Sequence, residues 1–493
     1  MLDKTDAETV EETETNIEKS ETADSTQHSS EKPKSKHTLP EELLEAPLIH
    51  GGLWKAIWLM SWPLLISTVA MSIVGAVDVQ MSGYLGSDSQ AAVGLSEHVI
   101  FMFMVIFFSI SVGTTALVSR EFGEGNAEGT IRSTTQSLVV SVTSGFVMSI
   151  AALSFARMLL PLFSKSPEVI QQGTLYLSIF GLYMIPFSII CIISAAFRAI
   201  GDSKTPLWVI LVQVTISIVG DYLTVLKGWP VPGLGIRGIA ISAVLGAFTA
   251  AAVSIFMLTR SSLSECLTLK RLKVFDWELQ KRILKIGIPT AVQRLGWNAS
   301  VFAVFFILSQ VKEQTAALAA WTIGMRIEAL LFMPLMAFST AVASIVGQNL
   351  GAGKPERATK AGWNVTIIGV VMMIVLAAGM FFGSDMIARF MTQDPIAIEF
   401  TSNYLRINAL SEPFLAVAMV LMGAMQGAGD TKVNMWISLF CNWIVRLPVA
   451  WYLALQLNLG TNGVWISMAT SVTVCAFICA ARYRSGSWLK VKV

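Results

Sequence analysis

Two aspartates stand where an apolar chain has little reason to carry them. Asp78 lies about twenty residues into a long apolar run, in SIVGAVDVQMSGYLG, and Asp221 closes another, in VTISIVGD. A charge at bilayer depth costs at least ~2.5–3.5 kcal/mol on insertion scales, so each one needs a reason. A carboxyl in a low-dielectric cavity can take up a proton near neutral pH or offer hard oxygens to Na⁺. Ser217 stands one turn before Asp221 on the same helix face and would complete such a site. The competing explanation is that either acid is interfacial, snorkelling or capping a helix end.

Other polar side chains lie within apolar runs. Glu328, in GMRIEALLFMP, follows Arg326 by two residues and is expected to pair locally with a nearby arginine; Glu412 precedes Pro413; Arg294, Arg406 and Arg446 are the basic candidates. Arg446 suits support of the fold or contact with an anionic substrate. Gln293, Arg294, Asn298, Glu328 and Asn442 are the candidate lining of a substrate cleft. The histidines (His28, His37, His50, His98) avoid mid-membrane depth, so a histidine proton relay is not expected. Cys475 and Cys479 share a helix face, but no histidine accompanies them, and small residues suit packing between membrane helices. No metal is expected beyond Na⁺ at Asp78 and Asp221. No nucleophile elbow or metal-ligand spacing supports an enzyme, and no filter-like polar ring supports a channel.

The elements that must carry these residues are membrane helices. Of 493 residues 54% are hydrophobic and 14% charged, against roughly a quarter charged in soluble chains. Mean hydropathy is +0.63. Apolar runs on the order of 20 residues, the length that crosses a bilayer, follow one another without the period-2 alternation of barrel strands. Twelve spans are predicted, near 57–83, 91–118, 132–155, 173–197, 206–226, 237–259, 284–309, 316–346, 362–384, 400–425, 433–455 and 463–481. The first fifty residues differ, with thirteen acids against five lysines, and are expected to form a disordered acidic tail rather than a secretory signal. Loops on the side of the termini carry about nineteen Lys/Arg, the opposite loops about six, which predicts cytoplasmic termini.

The halves repeat. VSREFGEGNAE from Val118 lies over VGQNLGAGKPE from Val346, and AIGDSKTPLW from Ala199 over GAGDTKVNMW from Gly427, both at an offset of 228. LGIRGIAIS from Leu234 matches LGTNGVWIS from Leu459 at 225, and Pro63 answers Pro289 at 226. Four matches in order at nearly one offset mean duplication. The expected organisation is a tail over 1–50, a six-helix lobe over 51–259, a linker over 260–281, a second lobe over 282–483 and a C-terminal tail over 484–493. Each unit has an even number of spans, so the pseudo-two-fold axis runs along the membrane normal and a cleft lies between two bundles; transporters of this build bind near the midplane and rock. The Gly-Asp-Ser/Thr-Lys repeats are expected to stop one helix and cap the next rather than bind phosphate. Asp78 and Asp221 have no acidic counterparts in the second half, so the scaffold shared by the repeats does not account for them.

Over essentially all of residues 55–483 the chain resembles the multidrug and toxic compound extrusion (MATE) family. The resemblance rests on Pro63, Asp78 and the following GYLG, FRAIGDSKTP from Phe197, GLGIRGIAIS from Gly233, VGQNLGAGKPERA from Val346, MQGAGDTK from Met425 and NLGTNGVWIS from Asn458. It implies two six-helix lobes, a central cleft, and export of drugs or organic cations against H⁺ or Na⁺ without another cofactor. The implied partners are those small molecules and the lipid bilayer of the plasma (inner) membrane, with no nucleic acid, for a monomeric chain. Asp78 matches the family's first-helix aspartate and Asp221 the aspartate of a fifth-helix Asn-x-x-x-Asp pattern, in which Ser217 replaces the Asn. QRLGWNAS from Gln293 lacks the helix-seven glutamate of the NorM branch, and the resemblance leans to the proton-coupled DinF-like branch. A lipid-linked oligosaccharide flippase of the wider superfamily is the alternative; it would favour a strongly cationic cleft.

Overall fold

Backbone N–H and C=O groups find no partner in hydrocarbon, so an apolar run must satisfy them within itself as a helix. The computed structural model describes residues 47–162, 164–225, 233–272 and 274–491, and those residues contain no strand. The first half comprises α1 (Leu53–Tyr84), α2 (Ser87–Gly123), α3 (Ala127–Leu159), α4 (Pro167–Ala199), α5 (Lys204–Val225) and α6 (Ile236–Thr259). The second comprises α7 (Trp277–Leu308), α8 (Gln314–Gly351), α9 (Pro355–Phe382), α10 (Pro395–Ala409 with Glu412–Gly427), α11 (Thr431–Gln456) and α12 (Thr461–Arg484). Eleven are long and apolar enough to span a bilayer; α10 makes twelve when its two parts, bent by 54°, count as one span. Pro413 at the break supplies no N–H to the preceding turn, which accounts for the bend. The predicted spans lie along these helices; 284–309 and 362–384 run one and two residues past α7 and α9, and residue 226, the predicted end of the fifth span, lies outside the described residues.

The helices do not sort cleanly by lobe. The first turns of α1 (Ala56, Ile57, Met60, Leu64) pack into a second-half cluster with Ala337, Ala341 and Ile345 of α8. Reciprocally, Leu279, Ile283 and Ile286 of α7 pack with Ile110, Ala116 and Leu117 of α2. Gly113 and Gly287 permit this: a Cβ on Gly113 would lie 2.6 Å from the Ile283 carbonyl oxygen, and one on Gly287 2.9 Å from that of Ser109. Pro63 and Pro289 sit inside α1 and α7 near the points where each helix leaves the opposite lobe.

At the end of the bundle that carries the termini the lobes touch through backbone. Gln348 donates to the Ala199 carbonyl (2.7 Å). Gly123 lies so close that a Cβ there would be 2.2 Å from the Gln348 carbonyl oxygen, and a Cβ on Gly351 would be 2.1 Å from that of Arg120. These glycines belong to the first repeated motif.

Most of the expected acidic tail, residues 1–46, lies outside the described residues. Residues 47–50, placed in that tail from sequence, form a turn in which Leu48 is buried. Asn349 donates to the Leu48 carbonyl (3.1 Å), and the Arg357 guanidinium donates to Leu48 and Gly51. The expected linker over 260–281 is shorter, because α7 starts at Trp277 with Asp276 as its cap. It is also docked: Gln136 of α3 donates to the Val274 carbonyl (2.7 Å) and accepts from the Gln280 side chain (2.9 Å). Past α12, Trp488 stacks on Tyr483 at 4.5 Å between centroids, and Arg120 donates to the Val491 carbonyl (2.9 Å).

Candidate functional site

Asp78 on α1 and Asp221 on α5 meet inside the first lobe, their carboxyls close enough to interact directly. Asp221 is 1% exposed, so it is not an interfacial or snorkelling acid. Neither of its carboxyl oxygens has a hydrogen bond of ordinary geometry, leaving it facing Asp78 and the Ser242 hydroxyl. Two carboxyls in contact away from water repel unless a proton or cation lies between them. Ser217 is buried as expected, one turn before Asp221, but its hydroxyl packs on Gly246, where a Cβ would sit 2.5 Å away. The hydroxyl beside the acid is therefore Ser242 of α6, which Gly220 admits: a Cβ on Gly220 would lie 2.7 Å from Ser242 Oγ. Glu97 of α2 and Tyr176 of α4 lie within electrostatic reach of Asp78. Sequence reasoning passed over Glu97, which stands in the polar stretch GLSEHVI about three turns into α2; only its place beside Asp78 in space marks it.

The second lobe holds carboxyls of its own. Glu328 on α8 neighbours Arg446 on α11, Tyr404 and Glu412 on α10. The arginine beside Glu328 is Arg446, from a facing helix, rather than the sequence neighbour Arg326, which is exposed. Glu412 is 2% exposed, and its Oε2 has no hydrogen-bond partner. These acids come from helices other than the seventh, which is why the acid-free QRLGWNAS stretch did not reveal them. Arg406 lies elsewhere, in the first part of α10, paired with exposed Asp385 of the short helix Ser384–Met391.

Between the lobes lies a cavity of about 480 Å³. Its lining includes Gln293, Arg294, Asn298 and Asn442, four of the five residues expected there; Glu328 is not among them. Apolar surface comes from Phe101, Phe108, Trp297, Phe332, Met336 and Met419. A π-helical stretch in α11, Phe440–Arg446, brings Cys441, Asn442 and Arg446 to the wall just ahead of Pro448. Such an insertion widens the turn, and Pro448 cannot donate to the carbonyl one turn back. Charge is the surprise: Arg198, Arg294 and Arg446 line the cavity and, among the described residues, no carboxyl does. An organic cation would therefore meet no acid on this wall, because Asp78, Asp221, Glu328 and Glu412 lie within the lobes and not among its lining residues. Arg198 was hidden from sequence reasoning by its position at the end of the fourth span, where a basic residue is ordinary.

The MatE family model matches residues 63–223 and 289–452, one stretch in each half. The "Probable multidrug resistance protein NorM" of Thermotoga maritima is 27% identical over 461 residues, covering 92% of this chain and 96% of that protein. The "Uncharacterized transporter YisQ" of Bacillus subtilis is 24% identical over 444 residues, covering 88% and 95%. Among solved structures, an outward-facing multidrug resistance MATE family transporter of the MOP superfamily superposes with a TM-score of 0.84 at 21% identity, covering 91% of this chain and 99% of that one. A MOP superfamily transporter from Pyrococcus furiosus, described by a binding pocket of reverse polarity, gives 0.82 at 21% identity, covering 91% and 99%. The family match, the repeat and the two-lobed fold agree: this chain belongs to the MatE family of multidrug and toxic compound extrusion transporters.

Proposed function

We propose that the chain exports amphipathic organic compounds by alternating access, exchanging each for protons taken up at Asp78 and Asp221. The contact between these two acids carries the reading. A pair of carboxyls in low dielectric binds one proton far more readily than it holds two charges, and gaining or losing that proton changes the force between α1 and α5. We take the coupling ion to be a proton, since two carboxyls in contact and away from water are relieved by a single shared proton. This, with Arg294 in α7, supports the DinF-like alignment over the NorM-like one. The three arginines on the wall fit the cationic cleft that the alternative cargo, a lipid-linked oligosaccharide, would favour, but a cavity of about 480 Å³ suits a drug-sized molecule better.

The excess of Lys and Arg in loops on the side of the termini supports a cytoplasmic placement for that side. With the lobes in contact there, the cavity is offered to the opposite, outer side. One chain completes both the cleft and the coupling pair, which supports a monomer in the plasma membrane, the inner one where there are two. Purified protein in liposomes, given separate pH and Na⁺ gradients, tests the mechanism. A pH gradient is expected to drive ethidium or fluoroquinolone movement, and Asp78→Asn to reduce it more than tenfold. Undiminished pH-driven movement in that variant would sink the assignment.

A further inference from the structure

We infer that the cavity between the lobes is a binding site for an amphipathic organic anion, with its acidic head on Arg198, Arg294 and Arg446. Its apolar body would lie against Phe108, Met336 and Met419. The inference deepens the export reading above and rests on it for the direction of movement.

Three arginines line one cavity, and among the described residues no carboxyl lines it. Arg446 is compensated from behind, by Glu328 and by its Nε–H donating to Ser471 (2.9 Å). The other two are not: among the described residues neither Arg198 nor Arg294 forms an ion pair. Arg198 Nε is buried without a hydrogen-bond partner. Arg294 has only the face of Phe108, 5.5 Å from its centroid. The last turn of α4 favours a cation at Arg198, but Arg294 is midway along α7, where no helix terminus accounts for it. An arginine cannot shed its proton to relieve burial, so an uncompensated pair here persists only if something supplies the missing charge.

A cationic substrate would add like charge to this wall. Each such encounter is repulsive, and more so in a cavity partly shielded from water. A carboxylate, sulfonate or phosphate instead gains charge-assisted, two-pronged hydrogen bonds, the geometry guanidinium is built for. The remaining wall is aromatic and methionine-rich, an adaptable surface for an apolar body. Arg198 stands on the first lobe and Arg294 and Arg446 on the second, so a bound anion bridges the lobes, and its release frees them to part.

The test measures binding of tritiated taurocholate, a sulfonate with an apolar body, and of ethidium to the full chain in nanodiscs. Saturable taurocholate binding is expected, weakened tenfold or more by Arg294→Gln and by Arg198→Gln and partly kept by Arg294→Lys, with melting temperatures near that of the unaltered protein. Two results overturn the inference: ethidium binding without taurocholate binding, or taurocholate binding unaltered in both glutamine variants. The same proteins in liposomes under a pH gradient separate the two readings. Asp78-dependent ethidium movement without taurocholate binding removes the anion site and leaves export standing. Arginine-dependent taurocholate binding with no gradient-driven movement of either probe keeps the site and removes export.

Discussion

At the scale of single residues, the repeated Gly-Asp-Ser/Thr-Lys segments show how one motif serves two ends. In the first half Asp202 caps α5, accepting from the backbone N–H of Lys204 (2.9 Å) and Thr205 (3.0 Å). In the second, Asp430 makes no cap and instead pairs with Arg482 of α12 at 2.8 Å. Removing a cap costs about 1 kcal/mol. Breaking a buried pair costs about 3 kcal/mol or more, tempered here because the Arg482 side chain keeps 28% exposure. Asp430→Ala is therefore expected to lower the melting temperature clearly more than Asp202→Ala. Equal losses in a thermal-shift assay would mean that the pair contributes no more than the cap. Sequence reasoning found both aspartates and their capping potential, but a partner 52 positions away leaves no local signal. The same limit hid Ser242: the serine one turn from Asp221 was visible in the sequence, the serine on the facing helix was not.

At the scale of elements, the prolines of α1 and α7 are coupled to the same motif. Pro63 lacks the N–H that would bond to the Leu59 carbonyl four residues back. The Ser203 hydroxyl, in the loop before α5, donates to that carbonyl at 2.9 Å. In the second half the Thr431 hydroxyl donates to the Ile286 carbonyl at 2.8 Å, one turn before Pro289. The repeated hydroxyl therefore bonds a carbonyl just before the proline of the helix that crosses to the other lobe, a role that capping alone did not predict. Ser203→Ala is expected to leave the Leu59 carbonyl unsatisfied, loosen α1 at Pro63, and raise hydrogen exchange in residues 56–64. It should lower pH-driven transport several-fold, because Asp78 rides on the same helix. Unchanged exchange across that stretch would show that the hydroxyl does not hold α1 at Pro63. The spans, their order and the duplication were legible in the sequence because bilayer length and repeat offset are properties of the chain itself. The crossing of α1 and α7 between lobes was not, since an apolar face such as that of Leu279, Ile283 and Ile286 marks the covered side of a helix but does not say which neighbour covers it.

At the scale of the whole molecule, closure at the end carrying the termini depends on two glycines that the repeat brings together. A Cβ on Gly351 would stand 2.1 Å from the Arg120 carbonyl oxygen, and one on Gly123 2.2 Å from that of Gln348. In both cases the obstacle is the backbone of the opposite lobe, which no rotamer change relieves. Gly351→Val should therefore wedge the lobes apart at this end and shift the population towards the state in which the cavity faces the side of the termini. Gly379→Val is a fitting control, because a Cβ there meets nothing within 4 Å. Spin labels at the exposed positions Glu124 and Lys360, in a background with the native cysteines replaced, report the separation of the lobes. Gly351→Val is expected to lengthen that distance by several ångströms and Gly379→Val to leave it unchanged. A wedge that unfolded the protein would broaden the distribution and abolish the melting transition, whereas a shifted equilibrium keeps both sharp. An unmoved, sharp distance in Gly351→Val would mean that the lobes accommodate the side chain without parting, and that closure is held elsewhere, by Gln348 on Ala199 and by the turn at Leu48.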